Sequence, residues 1–189
     1  MTGDMTKNPL WPIIAMMAGT ALACSCGKSG TEDIYTRQDS NIESIVSTLA
    51  PEGSGAAVDY FDGAVRVTVA HGEGSRLGDG GTVSFYYAGY IINSPSITEG
   101  NLFVTNNKEF ARASNWNVTD TSLFKLSTVD LSEDKLVKGL RKGLPGVRGG
   151  DECYILFNGK YGFGKHTTGK VPGNSALAYH LWITDVADN

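Results

Sequence analysis

The last third of the chain places apolar and aromatic residues where a substrate pocket could form, and its motifs contain no catalytic acid, base or metal ligand. These motifs occupy residues 136–140, 162–164, 171–174 and 181–183. A site of apolar walls and backbone N–H donors can accelerate a reaction in which the substrate only has to be twisted. Rotation about a prolyl peptide bond, which breaks amide resonance without forming a bond to the catalyst, is such a reaction.

The other reactive residue types do not combine into a different active site. The three histidines, His71, His166 and His180, are too scattered to form a metal-ligand set. Cys153 adds no recognisable ligand spacing, and residues 27–29 (Gly-Lys-Ser) lack the earlier glycine of a phosphate-binding loop. We therefore expect neither a metal ion nor a cofactor.

The composition indicates one ordinary globular domain with additional segments. The chain has 189 residues, of which 41% are hydrophobic and 19% charged, with a formal net charge of −4. It has no basic stripe that could follow a phosphate backbone, so we expect no nucleic-acid partner.

The N-terminus has the pattern of an export signal. Lys7 precedes an apolar run over residues 10–19, and small residues then lead to Cys24. The run is shorter than the roughly 20 residues that span a membrane. The pattern resembles a bacterial lipoprotein signal over residues 1–23, with Cys24 as the lipidated residue. Cys26 is the alternative lipidation site, and an ordinary cleaved secretory signal is the alternative to a lipoprotein.

A polar tether and a short helical extension are predicted after the signal. Residues 24–39 are polar and aperiodic, which favours a flexible tether. Residues 40–63 are predicted as the helical extension, with a helix that ends before the Pro51 turn. Its expected apolar face contains Ile42, Ile45, Val46 and Leu49.

The remainder predicts an α+β domain over residues 64–187, with five or six antiparallel strands and one short helix. The helix is expected at about residues 138–144, because Pro145 and Gly146 follow it. A long polar connection over residues 105–122 is expected to determine specificity or to be partly disordered. The strands are expected at residues 65–70, 82–92, 101–104, 123–126, 152–157 and 176–186.

The order of several short motifs resembles the FKBP-type peptidyl-prolyl isomerases. The first strand contains Gly81-Thr82-Val83 and Tyr87-Ala88-Gly89, and the helix begins in Leu136-Val137-Lys138-Gly139-Leu140. The other matching motifs are Phe103, Phe124-Lys125-Leu126, Gly162-Phe163-Gly164 and the segment 172–177. The resemblance covers about residues 64–187 and implies an FKBP-like half-barrel of antiparallel strands wrapped around the short helix.

The resemblance also implies a proline-binding pocket. Its expected catalytic residues are Tyr87, Phe103, Val137, Phe163 and Tyr179. Its expected substrate-binding residues are Val104, Phe124, Leu136, Leu140 and Val171. In the family, the backbone N–H at the position of Val137 holds a substrate carbonyl, and a change of side chain leaves that donor in place.

Three positions depart from the family pattern. Val104 stands where the family usually has Asp, Leu140 where it has Trp, and Phe163 where it has Tyr. Val104 cannot accept a hydrogen bond and Phe163 lacks a hydroxyl, and each such contact is worth about 1 kcal/mol. These departures keep open the alternative of a non-catalytic or weakly active peptide-binding chaperone module.

Together, these features predict a peptidyl-prolyl isomerase that assists the folding of exported proteins. We expect a monomer in the cell envelope of a Gram-negative bacterium, anchored by lipid in the periplasm or at the outer-membrane surface. Its expected partners are proline-containing exported polypeptides and, through the anchor, the membrane.

Overall fold

The computed structural model describes residues 26–116, 121–133 and 135–188, in which one antiparallel sheet of seven strands forms the centre of the molecule. The predicted signal and Cys24 lie outside these residues. The strands are β1 (Ala57–Phe61), β2 (Ala64–Ala70), β3 (Thr82–Ile92), β4 (Leu102–Thr105), β5 (Ser127–Asp130), β6 (Glu152–Phe157) and β7 (Ala176–Ala187). The α-helices are α1 (Cys26–Leu49), α2 (Lys108–Ala113) and α3 (Lys138–Gly143). This is the predicted FKBP-like α+β architecture.

The sheet has the strand order β1-β2-β6-β7-β3-β4, and β5 also pairs with β3. The side chains of its central strands alternate between two apolar layers. In β3, Val83 and Phe85 belong to the layer that contains α3, whereas Tyr90 and Ile92 belong to the layer that packs against α1. This period of two is the geometry of an extended strand, so both faces of the sheet are covered.

Two glycines allow α3 to lie directly against β6. A Cβ atom at Gly139 would overlap the ring of Phe157, and one at Gly143 would lie 2.6 Å from Cγ2 of Ile155. The end of the helix is held by Arg66, whose Nη1 donates to the carbonyl oxygens of Gly143 (3.0 Å) and Pro145 (2.7 Å). The glycines therefore set the position of the predicted helix as well as reducing its intrinsic stability.

The N-terminal helix is longer than expected. It begins at Cys26, so the prediction of an irregular tether is wrong for residues 26–39. Tertiary contacts explain the difference, because polar side chains of this segment bind the β6–β7 connection. Gln38 Nε2 donates to the Asn174 carbonyl oxygen (2.7 Å), and Gln38 Oε1 accepts from Gly159 N (2.9 Å).

Two strand predictions also need correction. The segment expected to be a helical extension ends in β1, which pairs with β2 in an antiparallel hairpin. The strand expected at residues 123–126 is instead a 3₁₀ turn at Thr121–Leu123 followed by a loop, and the real strand is β5. Leu123 and Leu126 are 49% and 43% exposed, so their apolar side chains do not mark a buried strand.

The long polar connection contains α2, which is capped by Asn107. The Asn107 side chain accepts hydrogen bonds from the backbone N–H groups of Glu109 and Phe110. Phe110 packs against Trp182 on the outer face of the sheet, with ring centroids 5.3 Å apart. Part of the expected irregular connection is thus ordered. Across the described residues, no helix combines the length and apolar character needed to cross a membrane.

Candidate active site

A cavity of about 440 Å³ opens between α3, the inner face of the sheet and the β6–β7 connection. The sheet contributes aromatic walls, α3 contributes one apolar side, and the connection covers the rim. The cavity is lined by Phe85, Tyr87, Phe103, Val104, Ser127, Val129, Lys135, Leu136, Val137, Leu140, Phe163, Thr168, Gly169, Lys170 and Tyr179. Most of these side chains are apolar, which is the usual character of a small-molecule or side-chain pocket.

Tyr179 is at the centre of the aromatic wall. Its ring lies 6.2 Å from that of Tyr87 and meets Phe103 edge to face at 6.0 Å. On its other side it stacks with Phe157 at an angle of 16°. These contacts are within the range of favourable aromatic pairs, so they fix the orientation of the wall before any substrate binds.

The two tyrosines supply neutral hydroxyl groups. Burial raises the pKa of Tyr179, and the neighbouring Tyr87 raises it further. Burial also raises the pKa of Tyr87. Neither hydroxyl has a hydrogen-bond partner among the described residues, and both oxygen atoms are partly accessible to solvent. Both groups therefore remain protonated near neutral pH and can donate a hydrogen bond to a bound group.

Val137 precedes the first turn of α3 and has an extended backbone, with φ −59° and ψ 144°. Within the described part of the chain, its backbone N–H has no hydrogen-bond partner. The adjacent turn is fixed, since Gly139 N donates to the Tyr161 carbonyl oxygen (2.9 Å). Leu140, only 5% exposed, closes the cavity from the helix side.

The structure brings eight of the ten sequence-predicted site residues together. They are Tyr87, Phe103, Val104, Leu136, Val137, Leu140, Phe163 and Tyr179. Phe124 does not line the cavity, because it lies in the loop before β5 and not in a strand. Val171 does not line it either, since it is 1% exposed within the core. The functional roles of the eight residues stay predictions.

Sequence reasoning missed part of the lining. Ser127 and Val129 of β5 line the cavity, whereas the sequence had predicted Phe124 there. The alternation of Ser127, Thr128 and Val129 before Leu131 was too short to identify a strand. Lys135 and Lys170 at the rim gave no sequence signal, because isolated lysines are usual on surfaces.

Asn106 is a further residue that the sequence did not indicate. It is 4% exposed, and its Oδ1 accepts a hydrogen bond from Tyr87 N (2.6 Å). Its Nδ2 donates to Lys125 O (2.8 Å) and to Ser127 Oγ (3.2 Å). Asn106 therefore links two walls of the cavity, β3 and the segment that enters β5, without lining the cavity itself.

The described residues contain no group of three His, Cys, Asp or Glu side chains that could hold a metal ion. Cys153 is fully buried, and this burial raises the pKa of its thiol to about 12. A thiol with so high a pKa is a poor nucleophile. The chemistry available to the cavity from described side chains is therefore apolar enclosure and hydrogen bonding.

Known proteins support this interpretation at the level of fold and family. Residues 74–183 match the family model described as FKBP-type peptidyl-prolyl cis-trans isomerase. One relative is FK506-binding protein 1 of Aspergillus oryzae, which is 24% identical over 124 residues, covering 66% of this chain and 98% of the relative.

Solved structures show the same fold at low sequence identity. The Pseudomonas syringae peptidyl-prolyl cis-trans isomerase has a TM-score of 0.56 and 14% identity, with 84% of this chain and 96% of that chain covered. FkpA from Escherichia coli has a TM-score of 0.54 and 20% identity, with coverages of 84% and 63%. Wheat FKBP73, with three FKBP domains, has a TM-score of 0.56 and 14% identity, and this chain spans about half (52%) of its length while 71% of this chain is covered. The chain therefore belongs to the FKBP-type peptidyl-prolyl cis-trans isomerase family.

Proposed function

We propose that this chain catalyses cis-trans isomerisation of prolyl peptide bonds in exported proteins of a bacterial cell envelope. The observation that supports this proposal most directly is the preformed aromatic cavity beside the Val137 backbone N–H. A prolyl ring fits such an enclosure, and the N–H group can hold a carbonyl of the same substrate. Slow prolyl steps, which take about 10 to 100 s, limit the folding of many proteins.

The catalytic effect of the cavity would come from favouring the twisted substrate. A planar amide has a more polarised carbonyl than a twisted amide, so an apolar, water-poor cavity disfavours the planar form. The barrier to rotation is about 18–20 kcal/mol, and each 1.36 kcal/mol removed from it increases the rate about tenfold. No proton has to be transferred and no covalent bond to the protein has to form.

The hydroxyl groups of Tyr87 and Tyr179 would assist the backbone donor. Phe163 has no hydroxyl, so it can contact the substrate only through its ring. Tyr87 and Tyr179 instead present hydroxyls that have no partner among the described residues. We infer that they bind the substrate backbone in the role that Phe163 cannot perform.

A protease-coupled assay with an Ala-Leu-Pro-Phe peptide tests the proposal. Chymotrypsin cleaves only the trans form, so the slow phase reports isomerisation. We expect this chain to accelerate the slow phase in proportion to its concentration. A folded sample that leaves the rate equal to that in buffer would contradict the catalytic proposal.

The second candidate function is a non-catalytic peptide-binding chaperone. Val104, Leu140 and Phe163 favour it, because they remove polar or aromatic features that the family usually has at these positions. Saturable binding of the same peptide without acceleration of its isomerisation would support this function over catalysis.

We further propose that a lipid on Cys24 anchors the chain to an envelope membrane, in the periplasm or at the outer-membrane surface. The proposal rests on the apolar run and small residues before Cys24. Intact-mass analysis of the processed protein should show a diacylglyceryl-modified N-terminal Cys24, and Cys24→Ser should lose both the modification and membrane fractionation. An unmodified N-terminus at another residue would contradict the proposal.

A further inference from the structure

A second recess adjoins the proposed active site. It measures about 480 Å³ and lies between α1 and the β6–β7 connection. The recess is lined by Ile34, Arg37, Gln38, Asn41, Ile91, Ile92, Asn93, Lys170, Pro172, Gly173, Asn174 and Ser175. Lys170 lines both this recess and the aromatic cavity, so the two recesses adjoin at this lysine.

The described charged residues that line the aromatic cavity and the second recess are all cationic. Among the described residues that line them, those with a charge are Lys135, Lys170 and Arg37, and no described carboxylate lines either recess. Lys135 pairs with the exposed Glu133. Within the described part of the chain, neither Lys170 nor Arg37 forms an ion pair. Lys170 and Arg37, which have no ion-pair partner among the described residues, therefore both line this second recess, the groove.

The connection between β6 and β7 also carries basic residues and no acidic ones. The connection over residues 158–175 contains Lys160, Lys165, His166 and Lys170 but no Asp or Glu, in a chain whose formal net charge is −4. By contrast, three of the four carboxylates of α1 line a different recess, next to the β1–β2 hairpin. They are Glu32, Asp39 and Glu43, and Lys160 lines that recess with them. The fourth, Asp33, lines neither that recess nor the one beside Arg37. Most of the carboxylates of α1 thus face away from Arg37 and Lys170.

From this arrangement we infer that the substrate is an extended polypeptide with Asp or Glu residues within a few positions of its proline. The inference rests on the proposed function, and it adds a substrate class to the same site. The proline occupies the aromatic cavity, and the flanking residues pass Lys170 into the groove beside Arg37. An extended chain advances about 3.3 Å per residue, so acidic side chains close to the proline meet these cations.

The groove has an apolar base suited to such a segment. Ile34, Ile91, Ile92 and Pro172 provide hydrocarbon surface, while Arg37 and Lys170 provide cations at its edge. Ile34 is 40% exposed, so part of this surface is open to solvent. Apolar contacts would contribute affinity and the two cations would select the sequence.

Binding of labelled peptides tests the inference. Four fluorescein-labelled peptides share an Ala-Leu-Pro-Phe centre and have a Glu-Glu or a Lys-Lys pair on its N-terminal or C-terminal side. Fluorescence anisotropy at low salt should show at least one Glu-Glu peptide binding about fivefold more tightly than its Lys-Lys counterpart, as expected for two partly exposed charge contacts. Raising the salt to 0.5 M should reduce this ratio, because screening weakens exposed pairs. Ratios below twofold on both sides would overturn the inference.

A pair of charge reversals locates the effect. Lys170→Glu should abolish or invert the preference for the Glu-Glu peptide. Lys160→Glu makes the same change in net charge within the same connection, but Lys160 lines the recess beside the β1–β2 hairpin. It should retain the preference. Equal losses in the two variants would show a general charge effect and would overturn the assignment to this groove.

The same samples separate this inference from the proposed function. Turnover of the uncharged Ala-Leu-Pro-Phe peptide tests catalysis without using the acidic flank. A Glu-Glu preference that depends on Lys170 supports the inference even if turnover is absent. Normal turnover without any such preference contradicts the inference and leaves the catalytic proposal standing.

Discussion

Phe103 and Phe110 are half-buried aromatic residues of the same segment, yet they belong to opposite faces of the sheet. Phe103 lines the cavity and contacts Tyr179. Phe110 lies on the outer face, where its ring packs against Trp182. Their residue type is identical, so burial by itself does not distinguish a wall of the active site from a structural contact.

Phe103→Ala should therefore reduce catalysis more than stability. Loss of the ring removes one wall and admits water, so we expect kcat/KM to fall about tenfold, which corresponds to about 1.4 kcal/mol of transition-state stabilisation. The protease-coupled assay and thermal unfolding measure the two effects. Phe110→Ala is the matched control, and it should lower Tm while leaving kcat/KM within about twofold. A similar loss of activity in both variants would contradict this division.

His180 should make stability depend on pH. Burial lowers its pKa below the ordinary value of 6.5, although the hydrogen bond to Glu152 (2.7 Å) opposes the shift. The ring also stacks on Tyr154 and lies against Trp182 and Phe110. Since the folded state binds the proton less strongly than the unfolded state, stability is complete above pH 6.5 and decreases as the pH falls below it.

Thermal unfolding at pH 7.5 and pH 5.0 checks this effect. The decrease in Tm from pH 7.5 to pH 5.0 should be larger for the natural protein than for His180→Gln, because the variant has no imidazole to protonate. A larger acid-induced loss in His180→Gln would show that Glu152 raises the pKa of His180 by more than burial lowers it.

At the residue scale, sequence was sufficient where a motif has a fixed place in the chain. Tyr87, Phe103 and Phe163 were predicted to share a site, and the structure brings them together. Phe124 was not placed correctly, because a Phe-x-Leu pattern in a loop looks like an alternating strand. The contribution of Asn106 depends on hydrogen bonds to β3 and β5, which no local pattern encodes.

The position of the short helix α3 depends on two residues that have no side chain. Gly139 and Gly143 remove side chains from the face that meets β6, and Arg66 binds the carbonyl oxygens at the end of the helix. The helix was predicted at nearly the correct residues because Pro145 and Gly146 follow it. Its close approach to Phe157 could not be predicted, since that contact joins distant parts of the chain.

Gly139→Ala should destabilise the protein although Ala favours helices by about 1 kcal/mol relative to Gly. The new Cβ would overlap the Phe157 ring, and overpacking of this kind typically costs about 1–3 kcal/mol. Urea unfolding should show the loss. Gly100→Ala is the control, because its Cβ would have open space around it. Unchanged stability in Gly139→Ala would mean that α3 can move away from β6 without cost.

The helix α1 should restrain the β6–β7 connection. Gln38 binds both ends of this connection, through Gly159 N and the Asn174 carbonyl oxygen. Gln38→Ala should increase amide hydrogen exchange in residues 159–174, because both bonds are lost. Ser44→Ala is the control, since Ser44 Oγ donates only to the Ser40 carbonyl oxygen of its own helix. Equal exchange in the two variants would show that the connection is ordered without α1.

At the scale of the whole molecule, one sheet serves two purposes. Its inner face and α3 form the aromatic cavity, while its outer face packs against α1 and α2. The sequence predicted the inner layer well, because its strands alternate and its motifs occur in family order. It predicted the outer layer less well, because the polar N-terminal part of α1 is held by contacts with distant loops.

The most direct test of the central proposal is exchange NMR on a Leu-Pro peptide, which detects cis and trans forms without a coupled protease. At a substoichiometric concentration of this chain, we predict cis-trans exchange cross-peaks whose rate rises linearly with protein concentration. Phe103→Ala should weaken them about tenfold. Exchange that stays at the uncatalysed rate, with the protein folded and peptide binding demonstrated, would contradict the account and establish a binding module instead.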